Sequence, residues 1–119
     1  MIKLKEVPIK EMKKVPGGSS RDGYYSHPLL KEGIFYLAKI DKRWYAGTFS
    51  KLWYGWNFNA VYDAGKQLEH GDHPREAGWE QLYIIMDKEA TKTYPLILDV
   101  VKEAIDMERK EEIINESIH

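Results

Sequence analysis

The 119-residue chain contains no cysteine. That excludes a disulfide scaffold, a thiolate zinc site, an iron–sulfur cluster and a cysteine nucleophile. Long apolar runs are missing too. Nothing approaches the ~18 residues of a membrane-spanning helix, and the opening MIKLKEVPIKEMKKVPGG lacks the apolar stretch of a secretory signal. Neither sign of charge dominates: the net charge is −1, whereas proteins that coat DNA or RNA through many phosphates carry a clear basic excess. Serine is confined to Ser19, Ser20, Ser26, Ser50 and Ser117, and none sits in GxSxG. GxxxxGK[ST] and GxGxxG are also absent. These gaps lead to the expectation of a cytoplasmic protein, away from membranes, with no cofactor.

The length fits one domain spanning residues 1–119, large enough to bury a core without staples. Charge is unevenly spread along it. Residues 1–22 carry six basic side chains against three acids, and residues 99–119 carry seven acids against three bases. Such asymmetry suits either two solvated faces or head-to-tail docking of two copies.

The most unusual stretch is Arg43 to Asn59, RWYAGTFSKLWYGWNFN, with seven aromatic residues among seventeen. It follows Ile34–Ile40, and the two runs flank the polar Asp41-Lys42-Arg43, which predicts an antiparallel hairpin. A two-residue turn sets Tyr36 opposite Gly47, while a three-residue turn sets Phe35 opposite Phe49. Either register leaves both hairpin faces largely apolar. One face meets a core, so the other needs cover from more chain, a partner or a ligand.

A third strand is expected over Trp53–Phe58 and a fourth over Trp79–Met86. The latter places Leu82, Ile84 and Met86 on one face and Trp79, Tyr83 and Ile85 on the other. Ile2-Lys3-Leu4-Lys5 reads as a short edge strand guarded by lysines. Residues 8–14 read as two helical turns behind Pro8. The Gly/Ser-rich region 15–32 reads as a long loop. Asn59 caps a short middle helix over 60–69, and a long helix starts near Pro95, with Ile97, Val100, Val101, Ala104 and Ile105 at helical spacing. A polar gap at Glu108–Glu112 precedes Ile113, Ile114 and Ile118, so residues 108–119 are expected to project and to offer a surface for self-association. The fold class is α+β: a mainly antiparallel sheet of about four strands, a short middle helix, and a long C-terminal helix on one face.

Chemistry has two candidate seats. His70, Asp72 and His73 carry ligand types for zinc or manganese, but in a polar loop and without the i, i+4 spacing of a helical site. The aromatic stretch is divided between core and site. Trp44, Tyr45, Trp53, Tyr54 and Trp56 can stack on a flat ring, while Arg43, and Arg21 from the loop Gly17–Gly23, can meet an anion. The favoured function is a non-catalytic binding protein holding a nucleotide-like small ligand or a protein partner. The alternatives are a metal-assisted hydrolase built on His70, Asp72 and His73, and an accessory or inhibitor protein of a mobile element acting through protein contacts.

Overall fold

The computed structural model describes residues 2–17, 20–52, 55–60 and 78–118, with backbone alone for 17, 20–23 and 111–118. The order of elements is β1 (Leu4–Glu6), a 3-10 turn (Ile9–Glu11), β2 (Lys13–Gly17), β3 (Ser20–Ser26), β4 (Phe35–Ile40), β5 (Arg43–Leu52), β6 (Gly55–Ala60), β7 (Trp79–Ile85), a second 3-10 turn (Glu89–Thr91) and α1 (Tyr94–Ile118). Strands β1-β7-β4-β5-β6 form one antiparallel sheet in that order, and β2 pairs with β3 in a separate two-stranded sheet. The architecture is α+β.

The β4–β5 hairpin turns on two residues, Asp41 and Lys42, at φ 50° and 67°. This left-handed pair matches the right-handed twist of the strands and sets Tyr36 against Gly47. Gly78, at φ +96°, passes directly behind the turn, where a Cβ would collide with the Asp41 carboxylate, and its carbonyl accepts the Asp41 amide at 2.8 Å. The turn is thus locked onto the start of β7.

Both faces of the hairpin are buried, and both covers come from the chain itself. On one face Leu37, Ala46 and Ile85 pack under Ile97, Val100 and Val101 of α1. On the other, Tyr36, Phe49, Phe58, Trp79 and Leu82 form an aromatic core closed by Val7, Met12, Leu30 and the β2–β3 hairpin. Phe49 is its hub, with ring centroids 4.9 Å from Tyr36, 5.0 Å from Phe58 and 6.2 Å from Trp79.

Several sequence expectations are corrected. Region 15–32 is not one long loop: β2 and β3 occupy most of its first half, joined by backbone ladder bonds that a Gly- and Ser-rich pattern does not advertise. Residues 8–14 hold one 3-10 turn followed by strand, rather than two helical turns. Ser50, Lys51 and Leu52 extend β5, and Asn59 and Ala60 belong to β6 instead of opening a helix. The remainder of the expected middle helix, 61–69, lies outside the described residues. In β7 a register shift opposite Lys39 and Ile40 inserts Glu80 as an extra residue. Trp79 therefore joins Leu82 and Ile84 instead of Tyr83 and Ile85. The polar gap at 108–112 does not interrupt α1. β1 is the edge strand expected of the lysine-flanked N-terminus.

Candidate functional site

β-Pleating sends alternate residues to opposite faces, so neighbours in the aromatic stretch part company. Trp44 lies on the α1 face and Tyr45 on the aromatic core face. Trp56 is buried in that core and donates its indole N–H to Ser26 Oγ at 3.1 Å. Arg43 is exposed at the start of β5. The structure does not bring these four together. Trp53 and Tyr54 lie outside the described residues, as does the side chain of Arg21. His70, Asp72 and His73 are also outside them. Among the described residues no cluster of three or more His, Cys, Asp or Glu could hold a metal.

Of the four, Trp44 lines a cleft. Its ring stacks beside Tyr83 with centroids 6.4 Å apart and planes 28° from parallel. Its N–H donates to Glu108 Oε2 at 2.7 Å, and the Lys39 ammonium reaches the same oxygen at 3.0 Å. That ammonium also lies 5.9 Å from the Trp44 ring centroid. Three elements deliver these groups: β4 brings Lys39, β5 brings Trp44 and α1 brings Glu108. Burial tends to raise the Glu108 pKa, but hydrogen bonds from Lys39 and Trp44, with the Lys39 charge, together hold it below the usual carboxylate range.

The group lines a cleft of about 270 Å³ between α1 and the sheet, together with Leu37, Ala104 and Gln81. A smaller cavity of about 40 Å³ continues it toward Ile2 and Val100, sharing Leu4, Leu37, Ala104 and Met107. Leu4 and Met107 stand on the rim, 38% and 45% exposed. The cleft thus joins an aromatic wall, the apolar side chains of Leu37 and Ala104, and an ion pair that is already satisfied. An ionised, paired Glu108 is suited to hold and orient, and poorly suited to give up a proton at neutral pH.

Lys39, Gln81, Tyr83 and Glu108 were not singled out in the sequence. Two of them carry a signal. Lys39 is the one charged residue within Phe35–Ile40. Glu108 falls seven residues after Val101 and four after Ala104, a carboxylate on the stripe that α1 turns toward the sheet.

No known protein family, curated protein or solved structure matches this chain. Among the described residues no helix is long and apolar enough to cross a membrane.

Proposed function

We propose that this protein is a non-catalytic binding protein that receives a flat ring in the cleft beneath α1. The ring belongs to a nucleotide-like small ligand, or to a side chain of a protein partner. The observation that carries the reading is the Trp44–Tyr83 stack, oriented by Glu108 in a cleft that Leu37 and Ala104 also line. Its volume of about 270 Å³ lies near the ~300 Å³ lower end of small-ligand sites. A single ring system fits, and any phosphate would remain outside. The rigid wall supports the reading further, because a pre-set aromatic surface loses little entropy when a ligand stacks on it.

The test is a titration with mononucleotides and cyclic nucleotides followed by tryptophan fluorescence. Saturable quenching is expected, with affinity falling about tenfold or more in Trp44→Ala, the scale of a lost base–aromatic stack. Absence of saturable quenching with every nucleotide overturns the small-ligand half. The partner half then rests on whether Met107→Asp, at the rim, abolishes capture of a defined partner.

The same reading places the protein in the cytoplasm, which suits a chain without cysteine. It also includes self-association through the end of α1, where Ile113, Ile114 and Ile118 recur in the sequence. Removal of residues 112–119 should then lower the mass measured by light scattering. An unchanged mass rejects that part alone.

A further inference from the structure

The first 3-10 turn and the β2–β3 hairpin enclose a groove of about 680 Å³, lined by Glu11, Lys13, Val15, Ser26, His27 and Pro28. It belongs to the layer that covers the aromatic core, away from the cleft under α1. We propose that this groove is a second binding site, for a carboxylate or phosphate group carried on a small apolar body. The proposal does not depend on the cleft reading.

Three donors line the groove, Lys13, Ser26 and His27, and local structure fixes the last two. His27 opens a turn in which its carbonyl accepts the Leu30 amide at 3.0 Å, with Pro28 pre-setting the next φ. The Leu29 amide donates to His27 Nδ1 at 3.1 Å. A neutral imidazole that accepts at Nδ1 carries its proton on Nε2. That nitrogen faces Glu11, whose Oε2 is 3.9 Å away, beyond hydrogen-bond reach. The His27 side chain is only 13% exposed, so its N–H is held in place rather than sampled from solvent. Lys13 pairs with Ser26 across the β2–β3 ladder, which puts an ammonium and a hydroxyl at the same level of the groove. Ser26 Oγ accepts from Trp56, and a hydroxyl that accepts there still has a hydrogen to donate.

The remaining lining residues define what carries the anion. Val15 and Pro28 give the groove apolar walls, matching a ring or short alkyl body. Among the described residues Glu11 is the one acid lining it, and its side chain is 71% exposed. It approaches His27 without bonding to it and can swing outward when an anion enters. Until then it competes for the same N–H. This gives the proposal an unusual sign: removing an acid from the site should tighten binding, whereas removing a lining lysine should weaken it.

The experiment uses the full chain labelled with ¹⁵N. Benzoate and phenyl phosphate are titrated into the millimolar range, and the imidazole nitrogens of His27 are followed in long-range ¹H–¹⁵N spectra. A saturable shift of Nε2 is expected with at least one probe, and which probe binds tighter decides between carboxylate and phosphate. Lys13→Gln should weaken binding about tenfold, the scale of one charge-assisted hydrogen bond. Glu11→Gln should tighten it about twofold to fivefold. Lys14→Gln, on the other face of β2 where Lys14 sits over Tyr25, should leave it unchanged. Lys13, Glu11 and Lys14 are all exposed, so the variants are expected to fold, which their melting temperatures verify. The proposal is overturned if neither probe shifts Nε2 saturably, if Glu11→Gln fails to tighten binding, or if Lys14→Gln weakens it as much as Lys13→Gln.

Discussion

Trp44 donates its indole N–H to Glu108 across 64 residues of sequence, and this bond joins the hairpin to α1. Because Glu108 also holds Lys39, its ionisation is coupled to folding. Its folded pKa is depressed. The stability it supplies is therefore present above the unfolded carboxylate pKa of ~4.3 and is lost as pH falls through the lower folded value. Melting temperatures recorded from neutral pH down to about pH 3 should fall less steeply in Glu108→Gln than in the wild type. Parallel curves would show that the latch carries no such linkage.

Tyr36 supplies the opposite case. Its buried hydroxyl donates to the Leu29 carbonyl at 2.6 Å and accepts the Lys31 amide at 2.9 Å, tying down the segment that closes the aromatic core. Tyr36→Phe leaves both backbone groups short of a partner and should cost about 1–3 kcal/mol in urea unfolding. Burial pushes the phenol pKa up, against the pull of the Lys31 amide. Its contribution is complete below the unfolded value of ~10 and is lost as pH rises through the folded one. Absorbance titration should show one late-ionising tyrosine, missing from Tyr36→Phe.

Two glycines should respond very differently to alanine. At Gly47 a Cβ would overlap the Asn59 carbonyl, whose carbon would lie 2.8 Å away in the backbone of β6. At Gly33 a Cβ meets nothing within 4 Å, and the only penalty is φ +80°. Gly47→Ala should cost about 3 kcal/mol or prevent folding, and Gly33→Ala about 1 kcal/mol. Denaturation midpoints in the reverse order would contradict the tight β5–β6 approach.

The hairpin turn is open to improvement. Lys42 sits at φ 67° with its amide donating to Glu80 Oε2 at 2.9 Å. Lys42→Gly keeps that N–H and removes the left-handed strain, so it should stabilise by about 0.5–1 kcal/mol. Lys42→Val, β-branched at positive φ, should destabilise. Thermal melts of the pair check both signs.

The β4–β5 hairpin, β7 and α1 were legible because each carries a strong period of 2 or 3.6. The two-faced apolar hairpin also announced that a second cover was needed. What supplies it was hidden. β2 and β3 are short of apolar residues and join through backbone bonds, so only Tyr24 and Tyr25 hint that they lie on the core. The seat of Trp79 depended on one extra residue at Glu80, and a single inserted residue leaves no mark in composition. For the site, the sequence named Trp44 but grouped it with Tyr45 and Trp56, which point into the other layer. Its true neighbours, Lys39, Tyr83 and Glu108, are each ordinary in isolation. They become a constellation only when β4, β7 and α1 are side by side.

Among the described residues β1 pairs only with β7, matching Leu4 to Ile85 far along the chain, whereas β4 and β5 meet over two residues. Closing the larger loop costs more chain entropy and must wait for β7 to be in place. The hairpin should therefore assemble early and β1 last. A three-residue strand added last is also the first to peel away. Amides of Lys3–Glu6 should exchange with solvent through local opening, well before those of β4. During such openings β7 presents a vacant edge that the same strand of another molecule fits equally well, so concentrated samples have a ready route to strand-exchanged dimers.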